Sequence, residues 1–266
     1  MTKGLLVDVT KCFNCGTCMI ACKDEHYENT YLPYTKDQPE LGHFWMRVNL
    51  VERGSFPKVK VASVPTPCMH CDEAPCIKAA KGGAIYKRPD GIVIIDPFKS
   101  VGQKDIVTSC PYGVIYWNDK LNIPQKCTLC AHRVDAGKQP KCVLSCPSMA
   151  ITFGEFETLM NTPGAEPLHP EYGAKPRVYY IGLPKTFIAG KVLDSKGECL
   201  VDADVSAKDT AAAKVVASVK SDYLGDFWLE GLDAKKTYEV AISAAGKTKT
   251  VSVSLDKDTD LGDIQL

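Results

Sequence analysis

The chain has 266 residues, with 32 Lys and Arg balanced by 32 Asp and Glu and a hydrophobic content of 45%. A net charge of zero gives no broad field for nucleic acid or anionic lipid. The apolar content argues against disorder, no run approaches the ~18 apolar residues of a membrane span, and the length suits two domains.

The opening stretch MTKGLLVDVTKC has a short apolar run before Asp8 and Cys12, too short for a secretion signal. The expected location is the cytoplasm, with export on a partner's signal as the other route. From residue 1 to about 153, short β-prone runs alternate with cysteine clusters: LLVDV at 5–9, GIVIID at 91–96, GVIYWN at 113–118 and AITFGEF at 150–156. AIYKRPDGIVIID and GVIYWNDKLNIPQKC each place a polar turn between β-prone flanks, which predicts two hairpins beside cysteine sites. Residues 154–186, rich in proline, glycine and charge, read as an irregular belt ordered by a partner surface. From 187 to 266, runs such as FIAGKVL, ADVSAK, VVASVKS, DFWLEG, YEVAIS and TKTVSVSL predict a small antiparallel β-sandwich. The expected class is α+β, with an iron–sulfur domain at 1–153, a belt at 154–186 and an all-β domain at 187–266.

Cysteine is the informative residue. Of 13 cysteines, 12 lie between Cys12 and Cys146 and only Cys199 lies beyond. Cytosolic thiols stay reduced, so this density points to metal rather than disulfides. Cys12, Cys15, Cys18 and Cys22 form C-x2-C-x2-C-x3-C, a run in which three thiolates hold one iron–sulfur cube and the fourth reaches a neighbouring cube. Its complement is Cys127, Cys130, Cys142 and Cys146, followed by Pro147. Exchanging fourth ligands gives one [4Fe–4S] set of Cys12, Cys15, Cys18 and Cys146, and another of Cys22, Cys127, Cys130 and Cys142. A third group, Cys68, Cys71 and Cys76, lacks a local fourth ligand, and Cys110, followed by Pro111, fits as its distant partner.

Three tetrathiolate zinc sites are the competing chemistry, since CxxC pairs serve both. The C-x2-C-x2-C-x3-C run and the Cys-Pro endings favour clusters. His70 and His132 lie within or beside CxxC turns, where a ring N–H either donates to cluster sulfur or merely packs against the loop. His26, His43 and His169 show no ligand spacing, Cys199 is expected as a small buried hydrophobe in the sandwich, and no nucleophile or general base is visible.

The landmarks KCFNCGTCMIACK, TPCMHCDEAPCIK, SCPYGVIYWN and QKCTLCAHR resemble the iron–sulfur subunits of molybdopterin oxidoreductases, over roughly residues 3–150. That resemblance implies a double ferredoxin-like fold, an electron-transfer role without an active site of its own, and a large catalytic partner carrying bis-molybdopterin guanine dinucleotide and molybdenum. It implies a heterodimer at least, with higher oligomers of heterodimers open. GHFWMRVNLVERGSFP, PRVYYIGL and the C-terminal third extend a narrower resemblance to small subunits of transhydroxylases acting on polyhydroxybenzenes, with related catechol dehydroxylases and resorcinol hydroxylases as alternatives. A scaffold whose clusters are structural staples is the competing role. The last 80 residues are similar to Cna-B or carboxypeptidase-regulatory sandwiches, which implies packing or interface work.

The family usually carries four clusters. Against its spacing, four cysteine positions are here Ala80, Ser100, Gln103 and Ile106. Under the ligand-exchange rule these are the complete set of one cube, so three clusters are expected, with VGQKDIVTSC filling the vacated space as a helical turn and Ile106 facing the core.

Overall fold

The computed structural model describes residues 2–266. The chain divides into two compact units, Met1–Leu50 with Ser63–Leu183, and Val51–Ala62 with Pro184–Leu266.

In the first unit the elements are β1 (Lys3–Asp8), α1 (Thr17–His26), the outer ends of a hairpin formed by β2 (Arg47–Ser55) and β3 (Lys58–Thr66), α2 (Pro75–Ala79), β4 (Ile85–Lys87), β5 (Val93–Ile95), α3 (Asp105–Thr108), β6 (Tyr116–Asn118), β7 (Ile123–Gln125), α4 (Ala131–Asp135), α5 (Lys141–Leu144), β8 (Ile151–Glu155), α6 (Phe156–Met160), β9 (Glu166–Pro167) and β10 (Val178–Ile181). Helices this short cannot stand alone in water. They persist as connectors around cysteine turns. Both predicted hairpins form, with Tyr86 opposite Ile94 in β4/β5 and Trp117 opposite Pro124 in β6/β7.

A four-stranded sheet in the order β8-β1-β10-β9 backs this unit. β1 reads as a continuous apolar run because it is covered on both faces, with Leu5 and Val7 fully buried. It pairs antiparallel with β8 and parallel with β10, Leu5 lying opposite Phe153 on one side and Val178 on the other.

β10 corrects the reading of residues 154–186 as a belt awaiting a partner. Val178 and Tyr180 are core residues, and the Tyr180 hydroxyl donates to Pro65 O at 2.9 Å. The preceding loop satisfies backbone groups of the second cysteine motif: Asp72 N–H donates to Lys175 O, Glu73 N–H to Ala174 O, and Arg177 N–H to Met69 O. Backbone pairing orders this stretch where apolar periodicity is missing. Replacing Tyr180 with Phe leaves a buried carbonyl without its donor. The expected cost is about 1–2 kcal/mol, seen as a fall of roughly 2–8 °C in the melting of this unit; an unchanged transition would show that the hydroxyl bond contributes nothing net.

The second unit is a sandwich of two sheets. One has the order β14 (Asp226–Leu232), β11 (Thr186–Leu193), β17 (Thr259–Gln265), and the other β13 (Lys214–Lys220), β12 (Asp204–Asp209), β15 (Lys236–Ala244), β16 (Lys247–Leu255). Alternation is clear in β12 and β15, where Val205, Ala207, Tyr238, Val240 and Ile242 turn inward. The sandwich is not wholly antiparallel, since β11 and β17 run parallel.

The tip of the β2/β3 hairpin, Val51–Ala62, belongs to this unit. Arg53 makes two hydrogen bonds to the Asp258 carboxylate, at 2.9 and 3.0 Å, and the buried Lys58 pairs with Asp226 at 2.6 Å.

Cys199 is exposed, not buried. Asp194 Oδ1 accepts the N–H groups of Lys196 and Glu198 and fixes the turn after β11. Leu200, packed against the core, then takes the inward position and Cys199 points out.

Candidate metal centre

The local structure around each cysteine motif is set by short helices and by left-handed residues. α1 follows Gly16, which has φ +71°, and carries Cys18 and Cys22 four residues apart on one face. α1 packs against α5, which carries Cys142 and leads to Cys146. In the CxxC turns, His70 and Leu129 adopt φ +46° and +52°. These φ values turn backbone N–H groups onto sulfur: His70 N–H toward Cys68 Sγ at 3.5 Å and Leu129 N–H toward Cys127 Sγ at 3.3 Å. Ala150 N–H does the same for Cys146 Sγ at 3.3 Å.

The fold brings two of the expected cysteine sets each around one cavity. Cys12, Cys15, Cys18 and Cys146 line one cavity of about 310 Å³, with Phe13, Val48, Pro65 and Ile151. Cys68, Cys71, Cys76 and Cys110 line another of about 340 Å³, with Met69, Val93, Tyr112 and Ile115. Cys22, Cys127, Cys130 and Cys142 are all buried, and Cys22 and Cys142 each respond to the charges of Cys127 and Cys130.

Burial first, then repulsion from Cys12 and Cys146, pushes the Cys18 thiol up to about 11. Burial also raises Cys76 to about 11 and Cys127 to about 12, and raises Cys22 and Cys142 well above the ordinary thiol. Such groups become thiolates only when a cation compensates them. Four cysteines around one apolar cavity make a donor set that fits a thiolate-ligated iron–sulfur cube.

The four non-cysteine positions lie together in ordinary packing. Ala80 ends α2, Ser100 is buried, and Ile106 on α3 is fully buried as expected. Gln103 occupies the junction: its Oε1 accepts Lys81 N–H at 2.8 Å, and its Nε2 donates to the Lys81 and Lys99 carbonyls.

The two histidines singled out by sequence part company. His70 is buried and lines the cavity of Cys68, Cys71, Cys76 and Cys110, and its Nδ1 accepts Val93 N–H at 3.0 Å. His132 instead binds the Glu25 carboxylate through Nε2 at 3.0 Å and stacks on Tyr31. His26, which showed no ligand spacing, is the buried histidine with Nε2 at 3.8 Å from Cys130 Sγ. The signal that could have found it is its place four residues after Cys22 on α1. Sequence reasoning also missed Lys126, a buried lysine directly before Cys127.

The family described as "4Fe-4S dicluster domain" matches residues 59–156, and that described as "Carboxypeptidase regulatory-like domain" matches 187–266. The chain is 41% identical to the pyrogallol hydroxytransferase small subunit of Pelobacter acidigallici, across 98% of each. It is 34% identical to a sulfite dehydrogenase subunit of Allochromatium vinosum, over 69% of this chain and 84% of that one. With the iron–sulfur subunit of arsenate respiratory reductase from Shewanella sp. strain ANA-3 it shares 30% identity, over 68% of this chain and 96% of that one. None of the described helices is long and apolar enough to cross a membrane. Cysteine sets, cavities and relatives converge: the chain belongs to the iron–sulfur subunits of the molybdopterin oxidoreductases, electron-transfer chains whose complexes keep catalysis in a separate large subunit.

Proposed function

We propose that this chain carries three [4Fe–4S] centres, on the three cysteine sets described above, and serves a large subunit with bis-molybdopterin guanine dinucleotide and molybdenum that moves hydroxyl groups between polyhydroxybenzenes such as pyrogallol. The observation that carries the substrate class is the 41% identity to the Pelobacter acidigallici protein across 98% of both chains, sandwich included. The other two relatives align over about two thirds of this chain. The complex is assigned to the cytoplasm on the same reading, because its thiols have to stay reduced.

When bound, such centres supply one-electron transfer. The protein's part is visible in its own residues. Apolar side chains exclude water from the cavities, backbone N–H groups donate to Cys68, Cys127 and Cys146 sulfur, and hydrogen bonding to sulfur eases the uptake of negative charge. The count of three is supported by Gln103 bridging Lys81 and Lys99 where a fourth set would need thiolates.

Iron analysis of the fully loaded chain, purified with its large subunit, is expected to give about 12 Fe, at four per cube. A reproducible value near 16 overturns the count. The purified complex should convert pyrogallol; turnover confined to catechol or resorcinol would reassign the substrate while leaving the cluster reading intact.

A further inference from the structure

Lys126 is 2% exposed. Lysine is almost never buried to this extent unless paired, and its ammonium brings three donors and no acceptor. Here Nζ donates to Val93 O and to Cys127 O at 3.1 Å, and no carboxylate is among its partners in the described residues. The nearby Lys87 contrasts with it, being paired to Asp72. Lys126 lines the cavity of Cys68, Cys71, Cys76 and Cys110, while its own backbone leads directly into Cys127 of the neighbouring set. Burial raises the thiols of Cys76, Cys110 and Cys127, and the Lys126 charge works the other way at all three.

His70 lines the same cavity. Because Val93 N–H donates to its Nδ1, that nitrogen keeps its lone pair and Nε2 carries the hydrogen. Nε2 is buried and has no hydrogen-bond partner among the described residues. A buried donor without an acceptor costs about 1–3 kcal/mol, and on a residue that lines a cavity walled by four cysteines it points to an acceptor there.

We propose that Lys126 and His70 raise the reduction potential of the centre held by Cys68, Cys71, Cys76 and Cys110, Lys126 as a buried ammonium for which the anionic centre takes the place of a carboxylate partner and His70 as an Nε2–H donor. The inference rests on the cluster reading above. On reduction this centre gains one electron and no proton, the electron being supplied in the titration by a chemical reductant. Counting four thiolates, the receiving centre becomes more negative by one unit, and a buried positive charge favours that state. Neither residue touches the Cys12 set.

The test is a potentiometric titration of the whole complex, followed by electron paramagnetic resonance of each reduced centre. Lys126→Gln is expected to keep about 12 Fe and to lower the reduced-to-oxidised ratio of one centre at least tenfold at fixed potential, about 59 mV for one electron, with a smaller fall at the neighbouring centre that Cys127 serves and none at the centre of the Cys12 set. Lys126→Arg should restore it to within about threefold. His70→Asn retains an acceptor near the Nδ1 position and removes Nε2–H, and should shift the same signal in the same direction by a smaller factor. A Lys126→Gln complex that loads fully with no signal moved, or with all three moved together as a general loosening would do, overturns the proposal. Should Lys126→Gln not assemble, His70→Asn decides, and an unshifted signal there overturns it. A wild-type iron content other than about 12 would instead count against the underlying cluster reading.

Discussion

Replacing Cys110 with Ala is expected to lower the iron content of the purified complex from about 12 to about 8, leaving the other two centres spectroscopically intact. Cys110 is the member of its set most distant in sequence, contributed by a separate loop, yet it lines the same cavity as Cys68, Cys71 and Cys76. Burial and the charge of Cys68 raise its thiol, and the backbone N–H groups of Val114 and Tyr112 act the other way across a turn that Gly113 makes with φ +61°. Removing it strands three thiols whose burial or mutual repulsion a cube would otherwise offset, so a partly ligated centre has little to retain it. Cys199→Ala is the matched control, being exposed on the sandwich, and should leave iron unchanged. Loss of about eight irons on removing Cys110 would mean that its set and a neighbouring one do not assemble independently. Retention of all 12 would mean that Cys110 is not a ligand.

Gly54→Ala is expected to destabilise the sandwich unit far more than Gly197→Ala, although both glycines sit at nearly the same backbone angle, φ +87° and +85°. The left-handed conformation alone costs an L-residue about 1–2 kcal/mol. At Gly197 that is the whole penalty, because nothing lies within 4 Å of an added methyl. At Gly54 the methyl would stand 2.2 Å from Lys58 O and 2.7 Å from the Phe187 ring. Phe187 is 1% exposed and cannot swing aside, and the carbonyl is backbone. Overpacking of this kind adds roughly 1–3 kcal/mol, so the total is a large share of the ~5–14 kcal/mol expected for a unit of this size. Calorimetry of the two variants should show the sandwich transition lowered at least twice as far by Gly54→Ala, at ~4–8 °C per kcal/mol. Equal shifts would mean that the hairpin tip relaxes freely.

The cysteine motifs are legible in the sequence because a thiolate set announces itself through local spacing, and the proposed exchange of fourth ligands follows from how many sulfurs a short turn can point at one cube. Even Cys110, which has no local companion, can be assigned by counting. What the cysteines cannot announce are the residues that touch them through the fold. Lys126 reads in IPQKC as the polar end of a strand, and only the crossing of β5 places Val93 O at its ammonium. The segment 154–186 misleads because VYYI is four residues long, follows a proline-rich loop and takes its order from β1. The sandwich strands are visible as alternating runs, but nothing in RGSFPKVK signals that Gly54 and Lys58 belong with residues 184–266. That membership rests on Arg53–Asp258, Lys58–Asp226 and the Phe187 ring, each more than 120 residues away in sequence.

The parallel pairing of β1 with β10 also fixes a timetable. Leu5 finds Val178 only after nearly the whole first unit has been synthesised, and at ~5–20 residues per second that interval is on the order of 10–30 s. Before it ends, all twelve cysteines of the three sets have been made while the strand that closes the sheet has not. The iron-receiving loops therefore spend their first seconds on an open nascent chain, accessible to delivery factors and to oxidants alike, and translation itself sets the interval before the sheet can shut behind them.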